Sequence, residues 1–79
     1  LMLDEPSLGL APIVARDIFR IVGDLNRSGM TVLLVSQEII QTLSIARRAY
    51  LLENGRITLS GASDVLLADS RVKESYLGL

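Results

Sequence analysis

Apolar positions in this chain occur in two patterns, a helical period and short continuous runs, which predict a mixture of helices and strands. In residues 13–27 they recur at spacings of four, three and four, as on one face of a helix: Val14, Ile18, Ile21 and Leu25. We expect a helix over this range, ended near Gly29, which suits a helix terminus. A second helix is expected over residues 38–47, with a narrower apolar face of Ile39, Leu43 and Ala46.

Two apolar runs have the composition of buried strands. Residues 1–4 form a short strand that should stop before Pro6, because proline has no N–H to donate to a ladder. Residues 31–35 are β-branched and apolar without alternation, which is typical of a parallel strand buried on both faces. Strand, helix and strand together predict a right-handed βαβ unit.

The second half of the chain predicts a hairpin and two short helices. Strand-like runs at residues 49–53 and 56–60 flank Asn54-Gly55, which favours a type I′ turn, and Gly61 should end the hairpin. Ser63 and Ser70 are suitable N-caps for helices over residues 64–68 and 71–77, the latter followed by Gly78. The predicted order is β-α-β-α-β-β-α-α, an α/β fold with parallel strands and a late antiparallel hairpin.

Length and composition narrow the function classes. The chain has 79 residues and a net charge of −1, which suits one small domain and gives no field that attracts nucleic acid. It contains no cysteine and no histidine, the latter being the commonest metal ligand and general base. No apolar run reaches the roughly 20 residues needed to cross a bilayer, and we expect a cytoplasmic location. Because the chain opens inside an apolar strand, we expect it to be a piece of a longer protein.

The sharpest chemical feature is the pair Asp4-Glu5, which directly follows the first apolar strand. Carboxylates at that point lie at the carboxyl edge of a sheet, where open α/β sheets bind ligands. One carboxylate can hold Mg²⁺, often through water, and the next can orient and deprotonate an attacking water. From the dipeptide alone, an equally good interpretation is that the two acids merely end a strand and begin a turn.

The surrounding residues carry a family resemblance. The run Leu-Asp-Glu-Pro-Ser-Leu-Gly-Leu-Ala-Pro at residues 3–12 resembles the Walker B and D-loop segment of ABC transporter ATPases, especially those that power branched-chain amino-acid uptake. Residues 31–37 resemble the strand leading to the family's switch position, and residues 50–57 resemble the hairpin that follows. The resemblance covers the whole chain. It implies a partial P-loop NTPase fold, with residues 1–79 forming the C-terminal fragment of the nucleotide-binding domain from Walker B onward.

The resemblance also implies roles for individual residues. Asp4 matches the aspartate that supports Mg²⁺ through water, and Glu5 matches the catalytic glutamate. Gln37 matches the switch residue near the γ-phosphate, where most members have histidine and the branched-chain ATPases have glutamine. A glutamine amide donates a hydrogen bond but carries no proton near neutral pH. Without the family, Gln37 would be interpreted as a polar residue at a helix start.

The D-loop is matched by Leu8, Gly9, Leu10 and Ala11, and it implies contact with a second ATP-binding subunit. The commonest family pattern ends this loop in aspartate. Ala11 has no carboxylate, so the contacts that such an aspartate makes are absent here.

The motifs that bind ATP in this family are missing from the sequence. There is no G-x-x-x-x-G-K-[ST] loop, the one lysine is Lys73, and the family's signature motif is absent. The full protein is expected to be an ATPase that uses ATP and Mg²⁺. For the fragment alone we expect no cofactor, no ATP binding and no hydrolysis.

The resemblance implies partners as well: a second ATP-binding subunit, membrane permease subunits and a solute-binding protein, at the inner face of the cell membrane. No nucleic-acid partner is expected. An exposed apolar strand edge pairs readily with other chains, so the fragment should self-associate. Two alternatives remain open, a free-standing α/β interaction module that regulates another ATPase subunit and a non-functional remnant.

Overall fold

The elements of the fold follow the predicted order. The structure is a computed structural model that describes residues 1–75; the predicted end of the last helix and Gly78 lie outside them. The elements are β1 (Met2–Asp4), α1 (Pro12–Arg27), β2 (Leu33–Val35), α2 (Ile39–Ile45), β3 (Arg48–Glu53), β4 (Arg56–Ala62), α3 (Ser63–Ala68) and α4 (Ser70–Ser75). The α/β fold class is thereby confirmed.

The strands form two separate two-stranded sheets. β1 and β2 are parallel, with Met2 opposite Leu33 and Asp4 opposite Val35. β3 and β4 are antiparallel and joined at Asn54-Gly55, whose φ angles of 53° and 76° are both positive, as a type I′ turn requires. The predicted parallel pair and the predicted hairpin are both confirmed, although β4 runs past Gly61 to Ala62.

Helix α1 begins and ends where its backbone chemistry favours it. Pro12 occupies the first turn, where its missing N–H costs nothing and its fixed φ suits the helix. Ala11 is the N-cap residue, with φ −61° and ψ 149°, and its side chain offers no capping acceptor. With 16 residues α1 is the longest helix, and within residues 1–75 no helix is both long and apolar enough to cross a membrane.

The buried face of α1 differs from the predicted one. Phe19, Val22 and Gly23 are buried, whereas Val14 and Ile21 are 46% and 48% exposed. The apolar stripe of the helix is wider than the part that α2 covers. Helix α1 contacts α2, and Gly23 faces Ile45, where an added Cβ would lie 3.4 Å from the Ile45 Cγ2, an ordinary van der Waals distance.

The core lies between the hairpin and the three short helices. Leu43 on α2, Leu66 on α3 and Val72 on α4 are at most 3% exposed and contact one another. Partly buried apolar side chains surround them: Ile39, Ala49, Leu51, Leu59 and Leu67. The predicted inward face of α2 is confirmed for Leu43 and Ile39.

The prediction that residues 31–35 are buried on both faces is wrong for this structure. Met2 is 80% exposed, Leu33 61% and Val35 51%, and their register places them on one face of the parallel pair. Leu3 and Leu34 on the other face are partly buried. The physical reason is that the described residues supply a covering layer to one face only.

Two predicted helix caps are also corrected. Ser63 is the first residue of α3 rather than its N-cap, and its buried Oγ has no hydrogen-bond partner in the described residues. At α4 the capping group is Asp69 instead of Ser70, because its Oδ1 accepts a 2.7 Å hydrogen bond from the Arg71 N–H. The Arg71 guanidinium also donates to Asp69 and lowers the pKa of that carboxyl.

Candidate functional site

The carboxyl ends of the two parallel strands meet at one edge of the sheet. Asp4 is the last residue of β1 and pairs in register with Val35, the last residue of β2. The N–H of Glu5 donates a 2.7 Å hydrogen bond to the Val35 carbonyl oxygen, so the ladder continues one residue beyond the strand. Gln37 follows Val35 by two residues. The structure therefore brings the backbones of Asp4, Glu5 and Gln37 to the same edge.

The backbone turns sharply at Glu5. Its φ is 50°, in the left-handed region that side-chain-bearing residues rarely adopt. Its carbonyl accepts a 3.1 Å hydrogen bond from the Leu8 N–H, which closes the turn that leads away from the sheet. Neither the strand pattern nor the turn signal at Pro6 revealed this conformation, since left-handed residues are usually identified by glycine or asparagine.

The two acids at this edge differ in exposure. Asp4 is exposed and Glu5 is partly buried. Mg²⁺ is usually held by one or two carboxylates together with substrate phosphates and water. Within the described residues no group of three or more acidic, histidine or cysteine side chains could hold a metal ion.

Gln37 lies in a short connection between β2 and α2. The Ser36 Oγ accepts a 3.0 Å hydrogen bond from the Glu38 N–H, which fixes the turn around Gln37. Glu38 is the N-cap residue of α2, and its side chain makes no capping hydrogen bond. Gln37 is exposed, so its amide is accessible to a ligand at the sheet edge.

The loop after the acidic pair presents an apolar tip. Leu8 is 71% exposed and Leu10 is 42% exposed, and between them Gly9 has a φ of 78° that favours glycine. The Leu10 N–H donates to the Ser7 carbonyl, and Ser7 itself is only 7% exposed. Sequence analysis missed Ser7, because no periodicity marks a single buried residue in a loop. An exposed apolar tip on a buried base is suited to contact another protein.

A groove elsewhere on the surface is unrelated to this edge. It has a volume of about 420 Å³ and lies between the end of α2 and the start of α3, where Leu43, Arg47 and Asp64 line it. Gln37 precedes α2 and the groove lies at the other end of that helix. None of the site residues predicted from the sequence lines it.

The fold and the edge site together define a class of protein. Solved structures that resemble the chain include two of MJ1267, an ATP-binding cassette of an ABC transporter. One matches at a TM-score of 0.71 with 33% identity, over 95% of this chain and 31% of that chain. The ADP conformation of MJ1267 matches at a TM-score of 0.72 with 33% identity, over 99% of this chain and 32% of that one. The chain thus has the fold of part of an ATP-binding cassette.

Sequence relatives agree with the fold. The high-affinity branched-chain amino acid transport ATP-binding protein BraG of Pseudomonas aeruginosa is 53% identical over 78 residues, which are 99% of this chain and 34% of BraG. The lipopolysaccharide export system ATP-binding protein LptB of Haemophilus influenzae is 37% identical over 99% of this chain and 32% of LptB. No family model matches the chain.

The chain belongs to the family of ABC transporter ATP-binding proteins. It spans about a third of the length of the curated relatives that it matches. The resemblance predicted from the sequence is confirmed, including the likeness to a branched-chain amino-acid transport ATPase.

Proposed function

We propose that the chain is a segment, from Walker B onward, of an ATP-hydrolysing subunit that powers an ABC importer. The observation that supports this most strongly is the sheet edge, where Asp4 and Glu5 end β1 beside the strand that leads to Gln37. The proposed solutes are branched-chain amino acids. The identity of 53% to BraG, against 37% to LptB, favours import of these solutes over lipopolysaccharide export.

Each edge residue has a distinct proposed role. Asp4, which is exposed, would hold the Mg²⁺, and Glu5 would orient the attacking water and accept its proton. Gln37 donates an amide hydrogen bond toward the γ-phosphate. When bound, Mg²⁺ neutralises negative charge on the phosphates. Because two carboxylates alone repel phosphate, nucleotide affinity is expected to come from Walker A and signature residues that this chain does not contain.

The proposed subunit works as one of a pair. The apolar loop tip at Leu8 and Leu10 is the proposed contact with a second ATP-binding subunit, and Gly9 gives the loop its turn. Ala11 ends that loop without the carboxylate of the commoner pattern. Membrane permease subunits and a solute-binding protein complete the proposed transporter, at the cytoplasmic face of the membrane.

A segment exchange tests this proposal. The 78 matching residues of BraG are replaced by those of this chain, and the chimera is reconstituted with the membrane subunits of BraG. We expect ATP hydrolysis and uptake of branched-chain amino acids, because the exchanged segment supplies an equivalent sheet edge. A chimera that folds and binds Mg-ATP but neither hydrolyses it nor supports uptake would contradict the proposal.

The isolated chain provides the complementary test. Isothermal titration of residues 1–79 with Mg-ATP should show no micromolar binding, because the chain lacks a phosphate-binding loop. Micromolar binding by the isolated chain would favour the alternative that it is a module with an activity of its own.

A further inference from the structure

Glu5 is an outlier in backbone conformation. Among the described residues, two residues other than glycine have a positive φ, Asn54 at 53° and Glu5 at 50°. Asn54 lies in a type I′ turn, which requires a positive φ and favours asparagine. Glutamate is not one of the residue types enriched in the left-handed region, so the conformation of Glu5 is strained.

The neighbouring residue opposes this conformation further. Pro6 restricts the residue before it to extended backbone, because the proline Cδ crowds the preceding N–H and Cβ. Tertiary contacts must therefore hold Glu5 in place. Its N–H donates to the Val35 carbonyl at 2.7 Å, and its carbonyl accepts from the Leu8 N–H at 3.1 Å. Both backbone groups of Glu5 are thus engaged, one by β2 and one by the loop.

The conformation changes the direction of the side chain. In a regular strand, residue 5 would share a face with Leu3, because side chains alternate. That face of the sheet is the partly buried, apolar one. A left-handed backbone takes the Cα–Cβ bond of residue 5 out of this alternation.

We infer that the strained backbone of Glu5, held by the hydrogen bond to Val35, is a positioning device that directs the carboxylate away from the apolar face and toward the ligand edge. Strained residues concentrate at active sites, where the surrounding structure holds them in place. The chemical role of the carboxylate rests on the proposed function, whereas the strain itself can be measured without nucleotide.

The test compares glycine with alanine at position 5. At an ordinary position glycine is less stable than alanine, because it loses more backbone freedom on folding. At a left-handed position the order reverses. Urea unfolding of the chain should give a folding equilibrium constant about tenfold larger for Glu5→Gly than for Glu5→Ala. The matched control is Glu53, an exposed residue of β3, where alanine should be more stable than glycine.

Proton cross-relaxation and melting temperature provide two further measurements of the conformation at position 5. In the isotope-labelled chain, a residue with positive φ gives a strong intraresidue cross-relaxation signal between its amide and α protons, and we expect this at Glu5 but not at Glu53. If the isolated chain does not unfold cooperatively, the same glycine and alanine variants are compared in the BraG chimera by melting temperature. The inference is overturned if Glu5→Gly is no more stable than Glu5→Ala. It is also overturned if the cross-relaxation signal between the amide and α protons of Glu5 is weak. A glycine advantage at position 5, together with a parent chimera that retains Glu5 and is inactive, would overturn the proposed function alone.

Discussion

The two halves of the molecule differ in how they bury their apolar residues. The hairpin and helices α2 to α4 surround a core in which Leu43, Leu66 and Val72 are at most 3% exposed. The parallel sheet, which carries the candidate site, leaves Met2 80% and Leu33 61% exposed. Parallel sheets are normally covered on both faces. The half that carries the candidate site is therefore the half whose apolar residues are covered least by the described residues.

The sharpest way to test this contrast is to truncate one leucine in each half. Leu66→Ala should lower the free energy of unfolding by about 2–5 kcal/mol, because it leaves a cavity in a packed core. At protein concentrations low enough for the chain to be monomeric, Leu33→Ala should change it by less than about 1 kcal/mol, since the side chain is then largely in water. Urea unfolding monitored by circular dichroism measures both. Equal losses at the two positions would contradict the contrast between the halves.

The exposed face of the sheet also predicts the association state. The chain should self-associate at tens of micromolar through β1, β2 and their apolar face. Sedimentation velocity should show a smaller associated fraction for Leu33→Ser, because the substitution removes exposed apolar surface. Val65→Ser is the matched control, since Val65 is 63% exposed but lies on α3 and not on the parallel sheet of β1 and β2. A chain that is monomeric at these concentrations would disprove the prediction.

A smaller effect is expected at the N-cap of α1. Ala11 has cap geometry but no capping side chain, so Ala11→Asp should add an acceptor for the N–H groups of the first turn. We expect a gain of about 1 kcal/mol in the free energy of unfolding, measured by urea titration. Ala11→Val, which offers no acceptor, serves as the control. The absence of any difference between the two variants would show that the first turn gains nothing from a cap.

The smallest effect concerns the pH dependence of stability at Asp69. Arg71 lowers the pKa of this carboxyl through its hydrogen bonds, so the unfolded chain binds its proton more readily than the folded chain. The stabilisation is present above the unfolded pKa and is lost as the pH falls through the lowered folded pKa. Asp69→Asn should therefore lower the urea midpoint at pH 7, and the difference should disappear in acid. A difference independent of pH would rule out the charge as its source.

Sequence patterns predicted the elements of this fold better than their environments. Strand, helix and turn signals such as Asn54-Gly55 are local, and the structure confirms them. Burial depends on contacts with distant parts of the chain. The composition of residues 31–35 is typical of a buried strand, yet the exposure of that strand depends on which other elements pack against it. The face of α1 was misplaced for the same reason, because its contact with α2 is made by another element and buries Phe19, Val22 and Gly23.

The candidate site was predicted in part. The position of Asp4 and Glu5 at a strand end followed from the apolar run before them, and the pairing with β2 brought Gln37 to the same edge. The left-handed backbone of Glu5 had no signal in the sequence, because it arises from the hydrogen bonds that Val35 and Leu8 make with it. The catalytic roles of these residues remain predictions from the family resemblance.

The proposed role of Glu5 is that of the general base in an ATPase site at this sheet edge. It is tested most directly by single-turnover ATP hydrolysis in the BraG chimera with Glu5→Gln, beside Glu53→Gln as the matched control. We predict a rate at least about 100-fold lower for Glu5→Gln with Mg-ATP binding retained, and an unchanged rate for the control. Hydrolysis by Glu5→Gln at the rate of the parent chimera would contradict the account.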